Sequence, residues 1–237
     1  MEPLGIISGT VPLQGKEIFG NLKKRDLDTE YGKVLVFLSD TIAFIPRHGN
    51  DPGHYILPHL INHQANMKAL KDLGIREVMG VNSTGSLKKK LKPGMIVVPD
   101  DFITLPGTPT AIHGRPLHIT PGLNDEARRQ WLEAARDCKI NVIDGGVYWQ
   151  TTGPRFETMA EIRMMSRFAD LVGMTMASEA VIAQELELSY AALCSVDNYG
   201  HGLVEKPLTI EEIVQNARRN TETIMKIVSR YIERRKG

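Results

Sequence analysis

Residues 153–161 read GPRFETMAE, and residues 173–179 read GMTMASE. Around these two stretches the chain changes character at short intervals. An apolar run at 142–149 passes through the Gly-Pro turn into a helical pattern over 159–168. A second run at 170–173 passes through a Gly-bearing turn into a helical pattern over 178–186, and a third run follows at 189–196. Short apolar strands alternating with helix-length segments are what a mostly parallel sheet covered by helices requires, so the chain reads as α/β.

Outward from this block the same alternation predicts strands at 4–7, 34–38, 41–46, 77–82 and 96–99, and helices over 58–73, 124–137 and 210–234. The last helix is the clearest. Ile210, Ile213, Val214, Ala217, Thr221, Ile224, Val228 and Tyr231 recur at helical spacing, and Thr209 with Glu212 makes a capping box. No repeat, low-complexity tract or linker divides the chain, so residues 1–237 read as a single domain. Segment 105–123, rich in Pro, Gly and Thr and carrying His113 and His118, reads as a long loop, either functional or a surface excursion.

Composition narrows the function. A length of 237 residues with 42% hydrophobic content sustains a sizeable core, and 29 basic against 28 acidic residues leave a net charge of +1. That balance gives no electrostatic footprint for nucleic acid. The basic clusters at 88–90 and 234–236 read as solvated surface. Cys138 and Cys194 lack CxxC spacing, which fits reduced thiols in the cytoplasm. No signal peptide or membrane span is expected. His54, His59 and His63 cluster, but without an HExxH pattern or a carboxylate at ligand spacing, so no metal is expected.

Four polar segments follow apolar strands. Ser8-Gly9-Thr10 ends the first, and exposed amides there with the Thr hydroxyl could cradle an oxyanion; the segment is neither GxGxxG nor a P-loop. Arg47-His48 ends another and offers a planar fork plus a second donor for phosphate, or a surface pair. Asn82 and Ser83, before a turn at Gly85, and Asp197-Asn198 with His201 end two more. Each alone reads equally as an ordinary turn. Together they fit the rule that open α/β sheets bind ligands beyond the carboxyl ends of their strands. The 153–179 block adds Phe156, a face for a flat base; Glu157, an acceptor-only carboxylate; and Met174 with Thr175 before a helix, where an anion can bind. The plain alternative makes Phe156 and Met174 core residues.

In this order the segments resemble the trimeric-type purine nucleoside phosphorylase and methylthioadenosine phosphorylase family, over nearly the whole chain. GPRFET..AE with GM(S/T)..(P/S)E carries the resemblance; the N-terminal Gly turn is less specific. The resemblance implies a three-layer α/β/α fold with a central mixed, largely parallel sheet. It implies a phosphate site from Gly9, Thr10, Arg47, His48, Asn82, Ser83 and Thr175, and a ribose site involving Met174 and His54. Phe156 would stack near base and sugar, with Glu157 and Asn198 reading the base edge and Asn198 serving the leaving group. The implied reaction cleaves the N-glycosidic bond with inorganic phosphate as co-substrate and no cofactor. The implied assembly is a homotrimer or homohexamer in which a neighbour completes the pocket.

Base choice follows from Glu157. A carboxylate accepts from N1–H of hypoxanthine or guanine, whereas adenine N1 is itself an acceptor. Methylthioadenosine-cleaving members of the family carry Ser at that position and Asp at the positions of Asn198 and Gly200, so 6-oxopurines are favoured here. Ile213 falls where ordinary members carry a His for the 5′-hydroxyl, which points to S-methyl-5′-thioinosine ahead of inosine and guanosine. Asp197 replaces the family's usual Thr; it is either a second reader of the base, able to bind a proton and restore some adenine recognition, or only a turn acceptor. The competing readings are a methylthioadenosine phosphorylase and a non-catalytic purine-binding protein.

Overall fold

The computed structural model describes residues 3–9, 21–51, 53–105, 107–114, 116–205 and 207–236. In chain order its elements are β1 (Leu4–Ser8), β2 (Lys23–Thr29), β3 (Gly32–Leu38), β4 (Ile42–Pro46), α1 (His63–Asp72), β5 (Glu77–Ser86), β6 (Ile96–Val98), β7 (Asp101–Thr104), α2 (Asp125–Asp137), β8 (Ile143–Asp144), β9 (Val147–Gln150), α3 (Met159–Met165), β10 (Leu171–Gly173), α4 (Met176–Glu185), β11 (Ser189–Tyr199) and α5 (Ile210–Lys236).

The strands form one mixed sheet. Its centre is parallel: β1 lies between β4 and β5, with Ser8 level with Pro46 and Val81, and β11 covers the other edge of β5. Strict alternation explains why these strands are apolar throughout. Leu4 and Ile6, Met79 and Val81, and Ala191 and Leu193 pack under α2 and α5, while Ile7, Val78, Ala192 and Cys194 pack under α1 and α4. The architecture is therefore helix, sheet, helix in three layers. On the α5 side, Trp131 stacks on Tyr231 with ring centroids 3.8 Å apart.

One edge of β5 changes partner along its length. β1 pairs with it up to Val81, and β10 takes over, antiparallel, at Gly85 and Ser86. Between those positions Asn82, Ser83 and Thr84 have no strand neighbour on that edge among the described residues, and the sheet opens there.

Several elements differ from the sequence reading. β5 runs straight through the expected turn at Gly85, and β11 continues past Val196 to Tyr199 by way of a bulge. The strand expected at 142–149 breaks into β8 and β9 at Gly145 and Gly146, whose φ values of 90° and 118° favour glycine. The helix expected over 58–73 is a single 3-10 turn, Pro58–Leu60, and then α1, because Asn62 caps α1 by accepting from the Ala65 N–H at 2.9 Å. β2 was not anticipated: its sequence, KKRDLDT, is charged, as an exposed edge strand tolerates. No helix among the described residues is long and apolar enough to cross a membrane.

Candidate active site

A cavity of about 470 Å³ occupies the opening beside β5. Arg47, His48, Ser83, Phe156, Glu157, Met174, Thr175, Asn198 and Ile213, all expected from the sequence, line it.

One pole is built to hold an anion. Arg47 follows β4 and is buried, with Nε and Nη2 donating to Glu179 at 2.6 and 3.0 Å, Nη2 also to the Ile7 carbonyl, and Nη1 to the Val81 carbonyl at 2.9 Å. Four of its five N–H groups are thus engaged with described residues, and the second Nη1 donor remains. Gly9 lies against it: a Cβ there would stand 2.9 Å from Arg47 Nη1 and from the His48 ring, so only glycine leaves this corner open. Thr175 begins α4 without using its side chain as a cap. Its Oγ1 accepts from Asn82 Nδ2 at 3.0 Å, which leaves the hydroxyl proton free to donate. Thr10 lies outside the described residues.

His48 differs from expectation. Its Nδ1 is 2.7 Å from the Ile56 carbonyl, which only accepts, so Nδ1 carries the proton. Burial, with a smaller contribution from Arg47, pushes its pKa down to about 4. Nε2, near Gly9, is therefore a bare acceptor suited to a protonated phosphate oxygen, not the second donor expected. The ring stacks on Tyr55 with centroids 4.5 Å apart.

The opposite pole suits a purine edge. Glu157 is buried, and its Oε1 accepts from Thr151 Oγ1 at 2.7 Å, leaving Oε2 open among the described residues. Asn198 Nδ2 donates to the Tyr199 carbonyl at 2.9 Å, which leaves one N–H and the amide oxygen for a ligand. A Cβ on Gly85 would meet Asn198 Nδ2 and Val172 Cγ1 at 3.1 Å each, so the amide is seated on a bare glycine. Phe156 exposes 40% of its surface at the rim. The remaining wall is apolar, formed by Tyr55, Leu57, Met174, Ile213 and Val214.

Three expected residues, His54, Asp197 and Asn82, do not line the cavity. His54 is 86% exposed in its side chain and pairs with Asp51 at 2.8 Å, outside the cavity; its backbone N–H also donates to the Asp51 carbonyl. Asp197 is wholly buried and does not line the cavity: Asn220 Nδ2 donates to its Oδ1 at 2.7 Å, Ser195 Oγ to its Oδ2 at 3.0 Å, and Ser83 of the cavity wall is a further hydrogen-bond partner. Asn82 reaches the cavity only through the hydrogen bond it donates to Thr175.

Sequence reasoning missed Glu179. Its signal was present, a lone acid inside the apolar run MASEAVIA, which only a buried cation would justify. Tyr55, Leu57 and Val214 were missed too, and of these only Val214, beside Ile213, carried a signal.

The model of the phosphorylase superfamily matches residues 3–233. The chain is 39% identical to a "Probable 6-oxopurine nucleoside phosphorylase" of Archaeoglobus fulgidus, with 98% of this chain and 96% of that protein covered. It is 41% identical to a "Probable S-methyl-5′-thioinosine phosphorylase" of Methanothermobacter thermautotrophicus, covering 90% and 77%. Among solved structures it is similar to methylthioadenosine phosphorylase from Schistosoma mansoni in complex with adenine, at a TM-score of 0.87 and 25% identity, covering 100% of this chain and 92% of that one.

Proposed function

The chain belongs to the phosphorylase superfamily, and from that premise we propose that it cleaves 6-oxopurine nucleosides with inorganic phosphate. The products are the free purine and a ribose 1-phosphate, and S-methyl-5′-thioinosine is preferred to inosine and guanosine. One observation carries the reading: buried Glu157, with one carboxylate oxygen unengaged, shares a cavity with Asn198, Arg47 and Thr175. The similarity to 6-oxopurine and S-methyl-5′-thioinosine phosphorylases supports it.

The chemistry follows from charge. Cleavage of the glycosidic bond builds positive charge on the ribose and negative charge on the departing base. Phosphate held by Arg47 and Thr175 places an anion beneath the sugar and then attacks C1′ with inversion. His48 Nε2 accepts from the phosphate hydroxyl, and the free N–H of Asn198 donates to N7 as the base departs. Contacts that strengthen as charge develops lower the barrier more than they aid binding. Glu157 Oε2 takes the N1–H, Phe156 stacks on the base, and Ile213 with Val214 receives the 5′-methylthio group.

The second reading is cleavage of S-methyl-5′-thioadenosine, favoured by the same apolar 5′ wall and by the likeness to the Schistosoma mansoni enzyme. Against it stands Glu157, which adenine leaves unpaired. We infer a cytoplasmic homotrimer or homohexamer, which exposed Phe156 at the cavity and the exposed apolar side chains Leu60, Met159 and Phe168 support. The test is base release from S-methyl-5′-thioinosine, inosine, guanosine and S-methyl-5′-thioadenosine, each with and without phosphate. Phosphate-dependent cleavage restricted to the 6-oxopurines is expected; cleavage of the adenine nucleoside alone would overturn the assignment.

A further inference from the structure

Asn198 stands on a β-bulge that is held from outside the cavity. β11 and β5 keep register to Val196 opposite Thr84, and the next pair is Asn198 opposite Gly85, so Asp197 is the inserted residue. The insertion sends Asp197 toward α5 and leaves Asn198 facing the ligand. Two side chains of α5 grip it there. Asn216 Nδ2 donates to the Asp197 carbonyl at 2.7 Å, and Asn220 Nδ2 donates to the Asp197 carboxylate at 2.7 Å and to the Val196 carbonyl at 3.3 Å. Asn216 and Asn220 are four residues apart, one above the other on a single helix face. Asn220 is 4% exposed, a polar residue in the apolar stripe of α5 where a hydrophobic side chain would pack with less cost. The same helix presents Ile213 and Val214 to the cavity.

We propose that Asp197, Asn216 and Asn220 are positioning residues that fix the bulge and so hold the Asn198 amide where the purine leaves. The inference rests on the reading of Asn198 as the leaving-group residue. It also accounts for the carboxylate at position 197, which does not itself line the cavity, is hydrogen-bonded to Ser83 of the cavity wall, and supplies acceptor oxygens where the bulge needs them. A clamp of this kind acts on the geometry of the transition state more than on ground-state binding. Misplacing a catalytic amide by about 1 Å costs on the order of 100-fold.

The test compares wild type, Asn198→Ala, Asn220→Leu, Asn216→Ala and the exchange Asp197→Asn with Asn220→Asp, which preserves a donor-acceptor pair across the bulge. Phosphorolysis of S-methyl-5′-thioinosine is followed as kcat and as KM for nucleoside and for phosphate, after circular dichroism has established that each variant is folded. Asn220→Leu is expected to lower kcat about 10- to 100-fold with phosphate KM within about twofold, Asn216→Ala to lower it less, and the exchange to recover part of the loss. Retained kcat in both Asn220→Leu and Asn216→Ala, with Asn198→Ala slow, overturns the clamp alone. No phosphate-dependent cleavage by wild type overturns the reading of the site and the clamp with it. If Asn220→Leu does not fold, Asn216→Ala and the exchange decide: a slow Asn216→Ala and a more active exchange support the clamp, and wild-type kcat in Asn216→Ala overturns it.

Discussion

Glu179 accepts from two nitrogens of Arg47, Nε at 2.6 Å and Nη2 at 3.0 Å, with both side chains no more than 2% exposed. Tyr190 donates to the same carboxylate at 2.7 Å. The bidentate pair aims the guanidinium so that its remaining donor faces the corner beside Gly9. Breaking such a pair leaves a buried charge without a partner. Glu179→Ala is expected to cost about 3–5 kcal/mol of stability. It should also raise the KM for phosphate more than the KM for nucleoside. Urea unfolding at the wild-type midpoint would contradict the first expectation, and an unchanged phosphate KM the second.

Glu157 fixes the base. Glu157→Ser removes the acceptor for N1–H and relieves the repulsion of adenine N1. The ratio of kcat/KM for S-methyl-5′-thioinosine over S-methyl-5′-thioadenosine should fall by an amount worth about 1–3 kcal/mol, the cost of an unpaired buried polar group. A ratio that does not move would remove Glu157 from the base edge.

Asn198→Ala deletes a donor whose partner becomes basic only as the bond breaks. It should lower kcat by about 100-fold or more, by analogy with the loss of one oxyanion donor, while nucleoside KM changes little. Turnover equal to wild type would exclude the leaving-group role.

Ile213→His offers a donor where the cavity wall is apolar. S-methyl-5′-thioinosine should lose kcat/KM by about 10-fold or more, the worth of a small apolar group in its pocket, and inosine should gain relative to it. Parallel changes for the two substrates would place the 5′ group elsewhere.

Two imidazoles make stability depend on acid. Burial lowers the pKa of His63 to about 3, with Arg47 adding to it, and that of His48 to about 4, both below the ordinary 6.5. Below 6.5 the unfolded chain binds protons that the folded chain refuses, so stability is full above that pH and falls as the pH drops toward 4. Each buried imidazole contributes a slope of about 1.4 kcal/mol per pH unit in that window. Urea unfolding at pH 7, 5.5 and 4.5 should show a shallower decline for His63→Gln than for wild type; identical slopes would count against the assignment.

The sequence by itself determined the α/β class, the helix at α5 and most of the polar residues around the cavity. These are local properties: an apolar run buried on both faces, an amphipathic repeat, and Gly- and Pro-bearing turns leave their mark in the order of side chains. The tertiary structure alone decided which way each polar residue faces. Asp197 and Asn198 are neighbours in the chain, yet one inserted residue in β11 sends the first to Asn220 and the second to the ligand. His54 and His48 sit in the same segment, but only His48 is held over the cavity, by the Ile56 carbonyl and the Tyr55 ring. The opening itself exists because β1 ends at Ser8 and β10 begins its pairing only at Gly85. Register between strands far apart in the chain is set by packing across the whole sheet, and no window of the sequence contains it.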